Sequence, residues 1–106
     1  MNPQRLKQLL EFYKDDPSDP FTIYGLAMEY LEEQPQESIE YFGKLLREHP
    51  GYLPTYYQAG SLYLSMNQNE QAKQILEKGM QVAQTTKDNH TYSELKSLYE
   101  EFFLDW

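Results

Sequence analysis

The sequence has no cysteine and only nine basic residues against seventeen acidic ones. Without cysteine, the chain can form no disulfide, no thiolate metal site and no cysteine nucleophile. Its net charge of -8 repels phosphate backbones and anionic lipid, so we expect neither nucleic acid nor a membrane as a partner. Apolar and aromatic residues make up 40% and 15% of the chain, which is too many for a disordered tail.

Long apolar runs are missing as well. No window approaches the ~20 apolar residues that a membrane-spanning helix needs. Arg5, Lys7 and Glu11 interrupt the first thirteen residues, which excludes the apolar stretch of a signal peptide. We therefore expect a cytoplasmic protein, and the length of 106 residues predicts a single domain over residues 1–106.

The prolines mark where helical patterns begin and end. Between them, apolar residues recur every three to four positions, which is the helical period, and no segment alternates with period two. The sequence therefore predicts an all-α fold with about six helices, near residues 3–15, 20–33, 36–48, 54–66, 69–85 and 91–104. The short connections between them favour antiparallel neighbours.

The chain also repeats itself at a fixed displacement. The motif Ile23-x-x-Leu26-Ala27-x-x-Tyr30 recurs as Tyr56-x-x-Ala59-Gly60-x-x-Tyr63, and Ser38-x-x-x-Phe42 recurs as Ala72-x-x-x-Leu76. Displacements of about 33 residues with two helices per unit are typical of a helical repeat array. We expect the small residue of each first helix, Ala27 or Gly60, to let the second helix approach closely at Ser38 or Ala72.

These motifs closely resemble the tetratricopeptide repeat, whose pattern is W-x2-L-G-x2-Y, then A-x3-F, then a proline. Pro50 follows Phe42 at the distance where that family places its proline. The resemblance implies a right-handed α-solenoid of antiparallel helix pairs. It divides the chain into a leading half-repeat (residues 3–15), a first repeat (20–50), a second repeat (53–86) and a capping helix (91–104).

Two packing expectations follow from the repeat positions. Pro17 fits the proline position of the half-repeat, which places Leu9 and Phe12 on the inward face of the first helix. Tyr30 and Tyr63 occupy packing positions, where a tyrosine belongs to the core more often than to a binding site.

No pattern typical of catalysis or metal binding occurs. The two histidines, His49 and His90, lie on different connections, and we interpret His49 as the residue that caps the end of its helix. Glycine-rich phosphate loops, G-x-S-x-G and H-E-x-x-H are absent. We therefore expect no enzyme, no cofactor and no metal.

The family resemblance implies binding of a protein or peptide partner on the concave surface made by the first helix of each repeat. Carried over position by position, the groove residues are Phe21, Tyr24, Met28 and Leu31 in the first repeat, and Pro54, Tyr57, Ser61 and Leu64 in the second. One subfamily clamps a terminal carboxylate with lysine, asparagine and arginine at such positions. Here no basic residue lies within 20–33 or 53–66, and a desolvated carboxylate needs a paired donor. We therefore expect an apolar, aromatic groove.

Three occupants of this groove stay open at the level of sequence: a neighbouring helix of the chain itself, an amphipathic or extended apolar segment of a partner, or a second copy in a homodimer. At the C-terminus, one helix face cannot bury Phe102, Phe103 and Trp106 together. Phe103 and Trp106 are a candidate association surface, although packing within the monomer is favoured. We predict a small, cytoplasmic, bacterial interaction module, with a self-associating structural protein as the alternative.

Overall fold

The structure, a computed structural model, describes residues 1–104 and contains α-helices and no β-strand within them. The helices are α1 (Pro3–Asp15), α2 (Pro20–Tyr30), α3 (Pro35–Glu48), α4 (Pro54–Ser65), α5 (Asn69–Thr85) and α6 (Asn89–Phe103). The prediction of an all-α fold is confirmed. By their internal contacts the residues form two compact units, the first ending at Tyr52 and the second beginning at Leu53, and each is described by itself.

Proline and acidic caps explain where the helices begin. Each of α1 to α4 has a proline in its first turn, a position where the missing N–H would have no helical partner anyway. The Asp19 carboxylate accepts a hydrogen bond from the Phe21 N–H at 3.2 Å. Asp88 accepts one from the Thr91 N–H at 3.0 Å, and this cap makes α6 begin at Asn89, two residues before the predicted start.

Helix α2 ends earlier than predicted, and a proline explains the difference. The helix ends at Tyr30 although apolar and acidic residues that favour helix continue to Glu33. Gln34 precedes Pro35 and has φ -136° and ψ 70°, because the proline ring excludes the helical conformation for the residue before it. The chain therefore leaves the helix before it reaches the proline.

In the first unit, α2 and α3 pack closely around side chains from which water is excluded. Ile23, Leu26 and Leu45 are fully buried. The Ser38 hydroxyl on α3 donates a hydrogen bond of 2.7 Å to the Ala27 carbonyl on α2, so the two helices meet at the small residues that the repeat motif predicts.

Helix α1 lies against α2 with one side only. A Cβ atom added to Gly25 would lie 2.9 Å from Leu9 Cδ2, so Leu9 faces inward as expected. Phe12 was expected beside it, and that expectation is wrong: its side chain is 57% exposed. Three residues along a helix turn the side chain about 60° from Leu9, and among residues 1–104 no further helix covers that side of α1.

In the second unit, glycines bring α4, α5 and α6 together. A Cβ atom added to Gly60 on α4 would lie 2.6 Å from Leu76 Cδ2 on α5, which confirms the predicted close approach at Gly60. One added to Gly79 on α5 would lie 2.6 Å from Tyr56 Cβ and 2.9 Å from Leu95 Cδ1. Gly79 therefore faces both α4 and α6, and α6 covers α5 through Leu95.

The tyrosines at the repeat's packing positions are less buried than predicted. Tyr30 and Tyr63 are both half-buried, so they lie at the edge of the core and are not fully excluded from water. Tyr30 stacks parallel to the ring of Tyr41 with 5.9 Å between ring centroids. A tyrosine can pack its ring and keep its hydroxyl in water, which leucine and phenylalanine cannot do.

Nowhere in the described part of the chain is a helix both long and apolar enough to span a membrane.

Candidate functional site

One side of α2 carries the four residues predicted for the groove of the first repeat. Phe21, Tyr24, Met28 and Leu31 follow one another at spacings of three and four residues, which aligns them along one face of a helix. We call this set the α2 face. Phe21 is 73% exposed, whereas the other three are half-buried. The face therefore presents one exposed ring at the beginning of α2 and a partly covered apolar strip behind it.

Two neighbouring rings hold Tyr24 in place. Its ring centroid lies 5.6 Å from that of Tyr52, in the connection after α3, and 6.3 Å from that of Phe42 on α3. Burial raises the pKa of the Tyr24 hydroxyl, and the neighbouring Tyr52 raises it further. Tyr24 is therefore a neutral aromatic surface next to the exposed Phe21. Tyr52 was not among the predicted site residues, because the family pattern assigns no role to the connection.

The other end of the α2 face borders a groove between α1 and α2. Its volume is about 390 Å³, and it is lined by Met1, Asn2, Arg5, Met28, Glu29, Leu31 and Glu32. It thus brings together Met28 and Leu31 of the prediction with Met1, Asn2 and Arg5 at the beginning of the chain, which sequence reasoning missed. Those residues could have been found only through the packing of α1 on α2, which no motif in the sequence specifies.

The Arg5 guanidinium therefore lies closer to the α2 face than the sequence suggested. The Arg5 guanidinium lies 3.0 Å from a carboxylate oxygen of Glu29 on α2, and the Asn2 N–H donates to the same carboxylate at 3.1 Å. The Asn2 N–H and then the Arg5 guanidinium hold the pKa of Glu29 below its usual value. The charge of Arg5 is thus matched by Glu29.

In the second unit, Tyr57, Ser61 and Leu64 share one side of α4, and we call this set the α4 face. Tyr57 is 40% exposed, while Ser61 and Leu64 are half-buried. Pro54, at the beginning of α4, is exposed. The α4 face is therefore the less apolar of the two predicted faces.

The candidate association surface at the C-terminus is described only in part. Phe103 is half-buried and its ring centroid lies 5.2 Å from that of Tyr99 on the same helix. Phe102, in contrast, is 53% exposed. Trp106 lies outside the described residues, so the prediction for the pair of Phe103 and Trp106 stays a prediction.

In the part of the chain that the structure describes, the titratable groups are not clustered. His49 is the C-cap of α3, as predicted, and its backbone N–H donates a hydrogen bond to the Leu45 carbonyl at 2.7 Å. His90 Nε2 lies 3.5 Å from a Glu94 carboxylate oxygen on an exposed side of α6. Within residues 1–104, no three histidine, aspartate or glutamate side chains gather as metal ligands would. The two faces offer aromatic and aliphatic contact surface.

The comparisons with known proteins agree with this architecture. A family model described as tetratricopeptide repeat matches residues 29–98. A tetratricopeptide repeat domain protein from Salinibacter ruber, solved by solution NMR, has 32% sequence identity to the chain and a TM-score of 0.77, over 81% of this chain and 88% of that one. A crystal structure of a tetratricopeptide repeat domain protein from the same organism has 31% identity and a TM-score of 0.74, over 78% of this chain and 93% of that chain.

No curated protein matches the chain. Tetratricopeptide repeats generally mediate contacts between proteins and are generally non-catalytic. The family model spans more than half of the 106 residues, and its match includes most of α3 to α6. On the motif, the helix pairs and these matches, the chain belongs to the tetratricopeptide repeat family.

Proposed function

We propose that this chain is a non-catalytic protein-interaction module that binds an apolar peptide or helix of a partner protein. The α2 face is the main binding surface, and the α4 face is a second, smaller one. In this proposal residues 20–50 and 53–86 are the two repeats, residues 3–15 are a leading half-repeat and residues 91–104 are a capping helix.

The observation that carries the proposal is the exposure of Phe21. Its side chain is 73% exposed although it lies on the same face as the half-buried Tyr24, Met28 and Leu31. Covering a phenylalanine side chain releases about 1.5–3 kcal/mol, so a partner that buries Phe21 gains roughly a fifth to a third of the ~8 kcal/mol of a micromolar affinity from this one ring.

The neighbouring residues support an apolar ligand in two ways. Tyr24 is held between Tyr52 and Phe42, so it loses little side-chain freedom when a ligand binds. Met28 is unbranched and polarizable, and such a side chain adapts to ligands of different shape. A rigid ring beside an adaptable side chain suits a helix or strand that presents apolar side chains at regular spacing.

A selection of displayed random peptides on the immobilised chain tests the proposal. We expect the selected peptides to be rich in aromatic and aliphatic residues. Phe21→Ala should weaken their binding at least about tenfold, equivalent to about 1.4 kcal/mol. Phe12→Ala is the matched control, because Phe12 is also an exposed phenylalanine, at 57%, but lies on α1 away from the α2 face. Tyr57→Ala tests the α4 face in the same way.

Two outcomes would contradict the proposal. One is a set of peptides that lose affinity with Phe12→Ala and bind the Phe21→Ala chain unchanged. The other is self-association through the same rings: light scattering would show a mass that rises with concentration in the wild-type chain and stays constant in Phe21→Ala. In that case the α2 face is a homodimer interface and not a peptide-binding site.

A further inference from the structure

The net charge of the chain comes from one segment. Of the seventeen acidic residues, eight lie within residues 15–43, where there is no lysine or arginine. The remaining nine acidic residues are balanced by the nine basic ones, all of which lie outside this segment. Residues 15–43 therefore account for the whole net charge of -8. They include all of α2, and with it the α2 face.

Within this segment the carboxylates lie beside the two ends of α2 and leave its middle uncharged. No charged residue occurs between Pro20 and Met28. Three acidic residues precede the helix and three lie in or just after its last turn: Asp15, Asp16, Asp19, Glu29, Glu32 and Glu33. From Phe21 to Leu31 the α2 face is about 15 Å long, at about 1.5 Å per residue. A ligand that covers the face therefore meets carboxylates at both of its ends.

At the beginning of α2, a carboxylate adjoins the aromatic residues of the face. Asp19 accepts hydrogen bonds from the Phe21 N–H at 3.2 Å and from the Thr22 hydroxyl at 2.7 Å. Burial, and then the negative charge of Asp19, raise the pKa of the Tyr52 hydroxyl, and the Tyr52 ring packs on Tyr24. Carboxylates and aromatic rings both attract cations, so this end of the face suits a lysine or an arginine of a ligand.

Carboxylates at both ends of the α2 face lack an ion pair. The Ser18 hydroxyl and then the Ser18 N–H, at 2.7 and 3.1 Å from the Asp16 carboxylate, hold its pKa below the usual value. At the other end, Glu32 is exposed and lines the groove between α1 and α2. Within residues 1–104, no lysine, arginine or amino group forms an ion pair with Asp16, Asp19 or Glu32. These carboxylates are therefore available to the cations of another molecule.

We propose that the partner segment bound by the α2 face carries lysine or arginine residues on both sides of an apolar core. This inference rests on the proposed function and adds the charge of the ligand to it. About five residues of an extended strand, or about ten of a helix, cover the length of the face, and the cations of the partner lie on either side of that core. A second copy of this chain is a poorer occupant, because two α2 faces would bring two segments of like charge together.

A set of synthetic peptides tests this inference. The peptides share the apolar core of a peptide from the display selection and differ only in their flanking residues, which are lysine, serine or glutamate. In calorimetry at low salt, the lysine peptide should bind at least about fivefold more tightly than the glutamate peptide, because several exposed ion pairs act together. The serine peptide should lie between them. Near 0.5 M salt the difference should largely disappear, because salt screens exposed charges.

Variants of the chain assign the effect to the two ends of the face. Asp16→Asn/Asp19→Asn removes the charges at the beginning of α2 and Glu32→Gln removes one at its end. Asparagine caps a helix about as well as aspartate does, so we expect the fold to be kept, and circular dichroism checks it. Each change should lower the ratio of lysine to glutamate affinity at least about twofold.

The matched control is Asp88→Asn/Glu70→Gln in the second unit. Asp88 caps α6 with hydrogen bonds of the same kind as those of Asp19, from a backbone N–H and a threonine hydroxyl, and Glu70 is exposed in the first turn of α5. This variant loses as much charge as Asp16→Asn/Asp19→Asn and should leave the affinity ratio unchanged.

The outcomes separate this inference from the proposed function. If the serine peptide binds in a manner that depends on Phe21 and the flanking residues have no effect, the inference is wrong and the proposed function stands. If binding of none of the peptides depends on Phe21, both are wrong. A preference for lysine that the control variant lowers equally would show attraction by the net charge of the whole chain and overturns the inference. Self-association that Phe21→Ala abolishes would assign the face to a second copy and overturns it as well.

Discussion

The helix pair α2–α3 and the helix pair α4–α5 follow one sequence motif but achieve their close contact with different groups. In α2–α3, the Ser38 hydroxyl bonds to the Ala27 carbonyl across the pair. In α4–α5, Gly60 leaves space for the Leu76 side chain, and Ala72, the counterpart of Ser38, is fully buried without a polar group. The motif therefore specifies a small residue, and the chemistry of the contact is decided separately in each repeat.

The two units also differ in how they pack away from the Ala27–Ser38 and Gly60–Leu76 contacts. Rings fill the first unit, where Tyr13 meets Tyr41 edge to face at 5.6 Å and Tyr41 stacks on Tyr30. The second unit relies on a glycine, since Gly79 faces Tyr56 and Leu95 at distances that leave no room for a Cβ atom. The first unit thus has partly exposed aromatic surface for contacts, and the second has a tighter interior that tolerates less change.

The largest effect should come from Gly79→Leu in the second unit. Overpacking costs about 1–3 kcal/mol and sometimes more, and we expect about 3 kcal/mol because Tyr56 meets Gly79 with atoms next to its backbone, which cannot move aside. Gly60→Leu should cost about 2 kcal/mol, since it meets the flexible end of Leu76.

Urea unfolding measures both changes, with Gly43→Leu as the control in the first unit. A Cβ atom on Gly43 would approach only the mobile end of Arg47, at 3.1 Å, so we expect no loss of stability there. Because leucine favours a helix more than glycine does, equal losses at Gly43 and Gly79 would contradict the assignment of the cost to the contacts of Gly79.

Ser38→Ala should lower the free energy of unfolding by about 1 kcal/mol, because it removes a buried hydrogen bond. Ala72→Ser places the same hydroxyl at the same position of the second repeat, at a residue that is fully buried. If the two repeats use different contact chemistry, Ala72→Ser will destabilise the chain as well. A gain in stability from Ala72→Ser would mean that the second pair can form the hydrogen bond of the first.

The Asp88 cap of α6 predicts how the stability of the second unit depends on pH. The Thr91 N–H and hydroxyl bond the Asp88 carboxylate and hold its pKa below the usual value. The stabilisation is therefore present above the unfolded pKa near 3.8 and is lost as pH falls through the lower, folded pKa. Asp88→Ala should lower Tm by a few degrees at pH 7 and by less at pH 3. A Tm difference that is the same at both pH values would contradict this role.

The smallest effect concerns the charge of a bound peptide. Glu29 matches the charge of Arg5 beside the α2 face, and residues 53–66 contain no cation. Amidating the C-terminus of a selected peptide should therefore change its affinity less than about threefold, or about 0.7 kcal/mol. A larger loss, measured by calorimetry with the free-acid peptide as the control, would show that a cation such as Arg5 takes part in binding.

Much of this architecture was predictable, because proline positions and apolar spacing are local signals. They identified each of the helices α1 to α6, and the small-residue motif located the contacts of Ser38 and Gly60. The exposure of Phe12 and the half-burial of Tyr30 were not predictable, since both depend on which helices are present beside them. The same holds for Arg5 at the α2 face, which reaches Glu29 only because α1 packs on α2.

The methionine methyl groups offer the most direct test of the proposed binding surface. The chain has four methionines, and among them only Met28 belongs to the α2 face; Met66 and Met80 are half-buried in the second unit. In methyl NMR spectra of the methionine-labelled chain, titration with a selected peptide should shift the Met28 signal and leave those of Met66 and Met80 in place. Binding that leaves the Met28 signal unchanged would contradict the assignment of the α2 face.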